Sequence, residues 1–215
     1  MIIDIKNMSK KFKKNTIFSD LNLQIEEKSF ITVYGDSGSG KTTLLNIIGL
    51  TENYDQGSYK LFGKNAPKVN SRKSLLLRRN KIAYLFQNFG LIENETVEKN
   101  LDIALLYSGY SKKKKADEML SALDLVNLKV DLQQKIYELS GGEQQRVAMA
   151  RVILKKCDLI LADEPTGSVD TKNRNDIISL LKKENQKGKT VILVTHDREI
   201  IKNSDETIDI KSISF

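Results

Sequence analysis

The stretch that decides the fold reads Gly35, Asp36, Ser37, Gly38, Ser39, Gly40, Lys41 and Thr42. It follows the strand-like run Phe30–Tyr34 and precedes a helix-like run over residues 43–50. Glycines at these spacings let successive backbone N–H groups turn toward one point, and the helix start adds its positive end. The stretch therefore predicts a strand–loop–helix unit that cradles phosphate groups. The flanking strand and helix disfavour the alternative, a glycine-rich turn with a chance lysine.

Apolar strand-length runs alternate with helix-like segments along the rest of the chain. The strands are predicted at residues 2–5, 21–25, 82–86, 159–162 and 191–194, and helical patterns cover most of 95–155 and 171–186. Short, wholly apolar runs are typical of parallel strands that are covered on both faces. The fold class is therefore predicted to be α/β, with a mainly parallel sheet. At 215 residues the chain is long enough for one good-sized core with at most a small subdomain.

The overall charge limits the possible partners. The formal net charge is +7, which would suit nucleic acid, nucleotides or an anionic membrane surface. The lysines are scattered and are not interleaved with aromatic residues, so a solvated basic surface is favoured and no nucleic-acid partner is expected. The one dense cluster, Lys112 to Lys115, is predicted to lie at a solvated helix end.

The cellular compartment of the protein can be predicted from its cysteine content and from the length of its apolar runs. Cys157 is the only cysteine, so it has no disulfide partner in the chain, and its setting predicts ordinary packing. No apolar run approaches the ~20 residues that a membrane-spanning helix needs. The N-terminus lacks the pattern of a signal peptide. A cytoplasmic protein is therefore expected.

Individual roles within the phosphate cradle follow from residue chemistry. Lys41 is expected to reach the terminal phosphates, and Thr42 to offer its hydroxyl to Mg²⁺. Thr43 is expected to add a contact to an inner phosphate. Asp36 is unusual, because it places a carboxylate on a loop that must hold a polyanion. We expect the Asp36 side chain to point away from the phosphates.

Two acids, Asp163 and Glu164, come directly after the apolar run over residues 159–162. Ligands of open α/β sheets collect at the carboxyl ends of strands. Beside a phosphate cradle, Asp163 is expected to orient Mg²⁺ and Glu164 to polarise the attacking water. The alternative is that the pair caps the following helix.

His196 is the only histidine and follows the apolar run 191–194 and Thr195. A lone histidine is usually a structural residue. Its place at the carboxyl end of a strand favours instead a hydrogen bond to the terminal phosphate, which would report whether that phosphate is present.

The stretch Leu139, Ser140, Gly141, Gly142, Glu143, Gln144 and Gln145 resembles the signature sequence of the ABC transporter ATPases, and it lies where that family has it, between the phosphate loop and the acidic strand. The resemblance covers essentially the whole chain. It implies one ATPase domain over residues 1–215, with a RecA-like P-loop NTPase core, an N-terminal antiparallel β subdomain and a helical subdomain at about 90–155. It also implies ATP and Mg²⁺ as ligands.

The same resemblance assigns further residues. Phe12 is similar to the aromatic residue that stacks on adenine, where tyrosine is commoner. Gln87 is similar to the glutamine that touches Mg²⁺ and the attacking water. The segment Ser168 to Asp170 is similar to the loop that contributes Asp170 to the site, and His196 to the switch histidine. The family also implies a head-to-tail dimer in which Ser140, Gly141 and Gly142 of one copy cap the nucleotide of the other.

Within the family, the stretches Gln87–Asn100 and Pro165–Asp170 resemble the lipoprotein-release, macrolide-efflux and cell-division ATPases, which pair with FtsX- or MacB-like permeases. Residues 85–101 are also similar to ATPases of lactococcin 972-type bacteriocin export systems. One departure is Glu93, where this group often has proline. The resemblance implies that Gln87–Asn100 contacts a membrane permease, which would hold the chain at the inner face of the cell membrane.

Three functions stay open at the level of sequence. The first is an export ATPase. The second is an ATPase that signals through an FtsX-like permease without moving a substrate. The third is an ABC ATPase without transport, which the lack of a tandem domain or a long coiled coil disfavours. The signature and the lack of a guanine-recognition motif argue against a simple kinase or GTPase.

Overall fold

A computed structural model describes residues 1–13, 15–166, 171–204 and 206–213, and for Thr171 and Lys172 it describes only the backbone. The strands are β1 (Ile3–Phe12), β2 (Asn15–Ile25), β3 (Phe30–Tyr34), β4 (Gln56–Leu61), β5 (Lys64–Asn65), β6 (Ile82–Leu85), β7 (Leu159–Asp163), β8 (Thr190–Thr195) and β9 (Thr207–Asp209). The helices are α1 (Lys41–Ile48), α2 (Arg72–Asn80), α3 (Val97–Leu105), α4 (Lys112–Leu125), α5 (Gly141–Leu154), α6 (Thr171–Gln186) and α7 (Arg198–Lys202), with 3₁₀ turns at Ile136–Glu138 and Ile210–Ser212.

The strands form two sheets. Strands β6, β7, β8, β3 and β9 lie side by side in that order, and every pairing between them is parallel. Strands β2, β1, β4 and β5 form a separate antiparallel sheet. The α/β class and the mainly parallel core sheet are confirmed. The antiparallel sheet is also confirmed, although β4 and β5 join it from beyond α1, so it is not built from the N-terminal segment alone.

The parallel sheet is buried on both faces, as its uninterrupted apolar strands predict. Alternate residues of β7 enter different cores: Leu159 and Leu161 pack with α1 and the antiparallel sheet, whereas Ile160 and Ala162 pack with the helices of the 97–154 region. Strand β8 divides in the same way. Because strand side chains point alternately to opposite faces, these central strands tie the two cores together.

The helices of the 97–154 region begin at side-chain caps. Thr96, Ser111 and Ser140 precede α3, α4 and α5, and each hydroxyl accepts a hydrogen bond from the backbone N–H three residues ahead. Lys112 to Lys115 form the first turn of α4, so the lysine cluster lies at a helix end as predicted. Within the described ranges, no helix has the length and apolar character that crossing a bilayer requires.

The loop before α3 is held by one buried amide. Asn100 is fully buried, and its Oδ1 accepts a hydrogen bond from Ile92 N at 2.7 Å. Its Nδ2 donates to the carbonyl oxygens of Ile92 (3.1 Å) and Thr96 (3.0 Å). Buried polar groups are costly when they lose their partners, so this amide fixes the path of residues 92–96.

Replacing Asn100 with Ala should lower the free energy of unfolding by about 3 kcal/mol, because it leaves the Ile92 amide and carbonyl without their partner. Urea unfolding followed by circular dichroism measures the change. Asn65→Ala, at an exposed position of β5, is the control and should shift the value by less than about 0.5 kcal/mol. Equal, small losses in the two variants would contradict the role of Asn100.

Candidate active site

The phosphate loop connects β3 to α1, between Tyr34 and Lys41. Gly40 has φ 92°, a left-handed conformation that side chains disfavour. A Cβ at this position would lie 2.5 Å from Cγ2 of Ile17, so the position also lacks room for a side chain. The loop can therefore pass directly beneath β2 and deliver the start of α1, with its N–H groups, to the site.

Lys41 is the first residue of α1 and is only 7% exposed. Its Nζ donates hydrogen bonds to the carbonyl oxygens of Gly35 (2.9 Å) and Asp36 (2.8 Å). The ammonium group is thus held within the loop. In the same loop the hydroxyl oxygen of Ser39 is buried and has no hydrogen-bond partner among the described residues. A buried cation and an unpaired hydroxyl are the groups that phosphate oxygens can satisfy.

Thr42 links the phosphate loop to β7. Its Oγ1 donates a hydrogen bond to Oδ1 of Asp163 at 3.1 Å. Asp163 is the buried last residue of β7, and burial, followed by the nearby charge of Glu164, raises the pKa of its carboxyl against the opposing effect of the Thr42 hydrogen bond. In the parts of the chain that are described, no three His, Cys, Asp or Glu side chains form a metal site. A hydroxyl and a carboxylate fit Mg²⁺, which takes few protein ligands and completes its shell with phosphate and water.

Glu164 follows β7 directly and is 8% exposed. Its φ of 43° lies in a region that bulky residues rarely adopt, so the backbone is strained at the acid. Oε1 lies 2.7 Å from Nδ1 of His196, and Oε2 accepts a hydrogen bond from the Thr195 hydroxyl at 3.2 Å. Both partners stand at the carboxyl end of β8, and they fix the Glu164 carboxylate in one orientation. A fixed carboxylate beside a phosphate site can orient and polarise water.

Phe12 lies at the end of β1 and is 44% exposed. The ammonium group of Lys10 lies 4.4 Å from the centre of its ring and forms an ion pair with Glu52 at 2.8 Å. Lys10 itself is 5% exposed. The aromatic ring thus has one face on a buried cation, which leaves an exposed ring for stacking.

The signature segment forms the start of α5. Ser140 is its N-cap, and Glu143 closes a capping box: Oε2 of Glu143 accepts from both the Ser140 amide (2.8 Å) and the Ser140 hydroxyl (2.7 Å). The hydroxyl and amide hydrogen bonds of Ser140 lower the pKa of Glu143. Gly141 is exposed, and a Cβ on it would touch nothing within 4 Å, whereas a Cβ on Gly142 would lie 3.3 Å from Nδ2 of Asn173.

The structure brings the phosphate loop, Asp163, Glu164 and His196 to one edge of the parallel sheet. Gln87 is exposed in the turn after β6. Among the described residues, its side chain makes no hydrogen bond to Asp163 or Glu164. Asp170 and the segment from residue 167 to 170 lie outside the described residues. Thr43 is half-buried in the first turn of α1, and Gly35, Ser37 and Gly38 form the loop itself. Their roles in ligand binding stay predictions.

Sequence reasoning missed several side chains that organise this site. Thr195 and Lys10, described above, are two of them. Nε2 of the buried Gln145 in α5 donates to the Pro165 carbonyl, next to Glu164. Arg174 in α6 forms ion pairs with Asp197 (3.1 Å) and Glu199, beside His196. Of these residues, only Gln145 belongs to a sequence motif. The others have no signal in the sequence, because each contact joins segments that are distant along the chain.

Comparison with known proteins gives a family that agrees with this site. The sequence pattern of the ABC transporter family matches residues 18–167. The ABC transporter ATP-binding protein YvrO of Bacillus subtilis (strain 168), itself uncharacterized, is 35% identical over 98% of this chain and 93% of its own length. The macrolide export ATP-binding/permease protein MacB of Campylobacter jejuni is 37% identical over 98% of this chain, but this chain spans only 33% of that protein.

Solved structures agree. A dimeric structure of the ATP-binding cassette MJ0796, in a post-hydrolysis state with ADP and Pi, has a TM-score of 0.89 and 34% identity, covering 97% of this chain and 94% of that one. Fold, site and relatives together define an ABC-type ATPase. The chain belongs to the ABC transporter family and is an ATP-binding subunit or domain of it.

The raised pKa of Asp163 has a consequence for stability. A carboxyl with a folded-state pKa above its unfolded value is destabilising once it ionises, and that cost is absent where it is protonated in both states. Asp163→Asn, which can still accept the Thr42 hydrogen bond, should therefore raise the free energy of unfolding at pH 7 without nucleotide. The gain should shrink as the pH falls through the raised pKa of Asp163, and it should vanish below the ordinary aspartate pKa.

Urea unfolding at pH 7 and at pH 3.5 measures this difference. Asp158→Asn is the matched control, because Asp158 is exposed and paired with Lys81 at 2.5 Å, and it should show no gain. A loss of stability at pH 7 in Asp163→Asn would contradict the conclusion that the ionised Asp163 carboxyl destabilises the fold.

Proposed function

We propose that this ATPase hydrolyses ATP in a head-to-tail dimer and drives a separate membrane permease of the export type. The observation that carries the proposal is the meeting, at one sheet edge, of Lys41, the Thr42–Asp163 pair and the fixed Glu164 carboxylate. A cation for phosphate, an oxygen pair for a metal ion and a carboxylate for water are the parts that phosphoryl transfer to water requires.

Each side chain has a role in this proposal. The glycine-rich loop and Lys41 bind the phosphates, and Phe12 stacks on adenine. Thr42 and Asp163 hold Mg²⁺, with Gln87 approaching from its exposed turn. Bound Mg²⁺ would neutralise charge on the phosphate oxygens. Glu164 polarises the attacking water, and His196 and Thr195 hold the carboxylate in place while His196 senses the terminal phosphate.

The dimer is supported by the exposed start of α5. Nothing in the described chain requires glycine at Gly141, where a Cβ would meet open space. A glycine without an intramolecular reason fits a surface that another molecule approaches closely. The N–H groups after Ser140 are available to an anion, as at other helix starts. The relative MJ0796 forms a dimer. We therefore propose that Ser140, Gly141, Gly142 and Asp170 of one copy complete the nucleotide site of the other.

Replacing Glu164 with Gln should reduce ATP turnover by at least about a hundredfold while nucleotide still binds, because Gln cannot polarise water as a carboxylate does. The trapped nucleotide should then hold two copies together, so gel filtration with ATP should show a dimer and without ATP a monomer. Adding Ser140→Arg to Glu164→Gln is the control and should abolish the dimer. Wild-type turnover by monomeric Glu164→Gln would contradict both roles.

The permease is proposed to dock on the Gln87–Asn100 segment and on the groove beside it, which Gly90 of that segment lines. A cavity of about 1020 Å³ lies between α2, β6, α3, α4 and α5. Exposed apolar side chains line it: Leu75, Phe86, Ile103, Leu106 and Tyr107. Arg151 of α5 donates hydrogen bonds to the carbonyls of Phe89 (2.8 Å) and Gly90 (2.6 Å), so motion of this loop reaches the helix that carries the signature.

Two observations support a permease as the occupant. Several large apolar side chains exposed around one groove fit a contact site for another protein or a membrane. In the MacB relatives, as their name states, ATP-binding and permease functions belong to one protein. A permease held here would place the chain at the inner face of the cell membrane. The export assignment follows the same relatives, and the cargo is left to experiment.

Leu106→Asp should prevent co-purification of the chain with the proposed permease, because it places a charge among the apolar groove side chains. Leu106 is 56% exposed, so the fold should tolerate the change. Leu120→Asp, on an exposed leucine (48%) of α4 outside the groove, is the control and should leave the complex intact. Equal retention of the permease by both variants would show that the groove is not the docking site.

A further inference from the structure

The phosphate loop contains an acid that ought to oppose its ligand. Asp36 is the second residue of the loop, and its carboxylate is exposed. Its backbone carbonyl is engaged within the loop, where it accepts hydrogen bonds from Lys41 Nζ (2.8 Å) and Ser39 N (3.2 Å). Lys41 also stabilises the charge of the Asp36 carboxylate. If it were not held elsewhere, this carboxylate would compete with phosphate oxygens for Lys41.

A second lysine draws this carboxylate outward. Nζ of Lys211 lies 2.5 Å from Oδ2 of Asp36, across 175 residues of sequence. The Lys211 hydrogen bond, followed by its charge, lowers the pKa of Asp36 below the usual aspartate range. An exposed pair of this kind adds little to folding stability. We therefore consider the effect of these two charges on a ligand bound to the neighbouring loop.

The position of Lys211 is fixed by the fold. Strand β9 pairs with β3 so that Asp209 lies beside Tyr34, the last residue before the phosphate loop. The next residue, Ile210, is 1% exposed, and its Cγ2 lies so close to Gly35 that a Cβ there would be 2.7 Å away. Asp209 caps the following 3₁₀ turn by accepting from the Lys211 amide at 3.0 Å. Lys211 is thus presented at the outer rim of the loop.

We propose that Lys211 is a positioning residue for nucleotide binding. It holds the Asp36 carboxylate away from Lys41 and neutralises its charge, so that Lys41 is available to the phosphates. Without Lys211, the carboxylate is free to turn toward Lys41 and to repel the polyanion. The C-terminal segment 206–213 would thereby set the nucleotide affinity of a loop that begins at residue 35. This inference rests on the proposed assignment of the loop to the phosphates.

The test is the affinity for ADP, which is not turned over, measured by calorimetry with Mg²⁺ at 25 mM and 300 mM NaCl. Lys211→Ala should weaken ADP binding by about three- to tenfold at low salt, with a smaller loss at high salt, because the effect is electrostatic and screened. Lys211→Arg should restore most of the affinity. In an Asp36→Ala background, Lys211→Ala should change the affinity by less than about twofold.

Lys81→Ala is the matched control, because Lys81 pairs with Asp158 at the same distance of 2.5 Å. This substitution removes the same charge, but at the opposite end of the parallel strands. It should leave the ADP affinity within about twofold of wild type. Failure of the wild-type chain to bind ADP would contradict the loop assignment and the inference together. Normal wild-type binding with an unchanged Lys211→Ala affinity, or with an equal loss in the Asp36→Ala background, would overturn the inference alone.

Discussion

The parallel pairing of β3, β8 and β7 is the constraint on which the rest of this molecule depends. Its register sets Tyr34 beside Thr195 and Asp163 beside Val194, so the three strands end almost level. The residues that follow, from Gly35, Glu164 and His196 onward, are therefore forced to the same edge. A shift of register by one strand residue would also exchange the two buried faces, so the packing of both cores protects the geometry of the site.

This edge carries features that do not favour folding. Asp163 is a buried carboxyl with a raised pKa, and Glu164 has a strained backbone. Lys41 is a buried cation whose hydrogen bonds, among the described residues, go to loop carbonyls. The buried apolar strands on either side supply the stability against which these costs are set. A bound nucleotide would bring negative charge to Lys41, and its metal ion would bring positive charge to Asp163. The electrostatic cost of burying these two groups would then become a favourable interaction. Binding and local stability are expected to be linked accordingly.

Much of this arrangement is predictable from sequence because its signals are local. The phosphate loop, the strands ending at Asp163 and Thr195, and the helix over residues 171–186 each lie within one short run of residues. Strands β4 and β9 were missed for a physical reason: only Tyr59 and Leu61 of β4 are buried, and β9 is three residues long, so neither has a clear apolar pattern. Contacts between distant segments, such as Glu164 with Thr195 or Asp36 with Lys211, leave no local signal at all.

The central claim is that the nucleotide on the phosphate loop of one copy is covered by the helix start at Ser140 of the other. It is tested most directly by thiol cross-linking between Ser37→Cys chains and Ser140→Cys chains, both carrying Glu164→Gln, with a short bis-maleimide reagent; the native Cys157 is buried. The account predicts covalent dimers only when the two variants are mixed and ATP is present. Cross-linking within a single chain that carries both cysteines, with none between mixed chains, would contradict it.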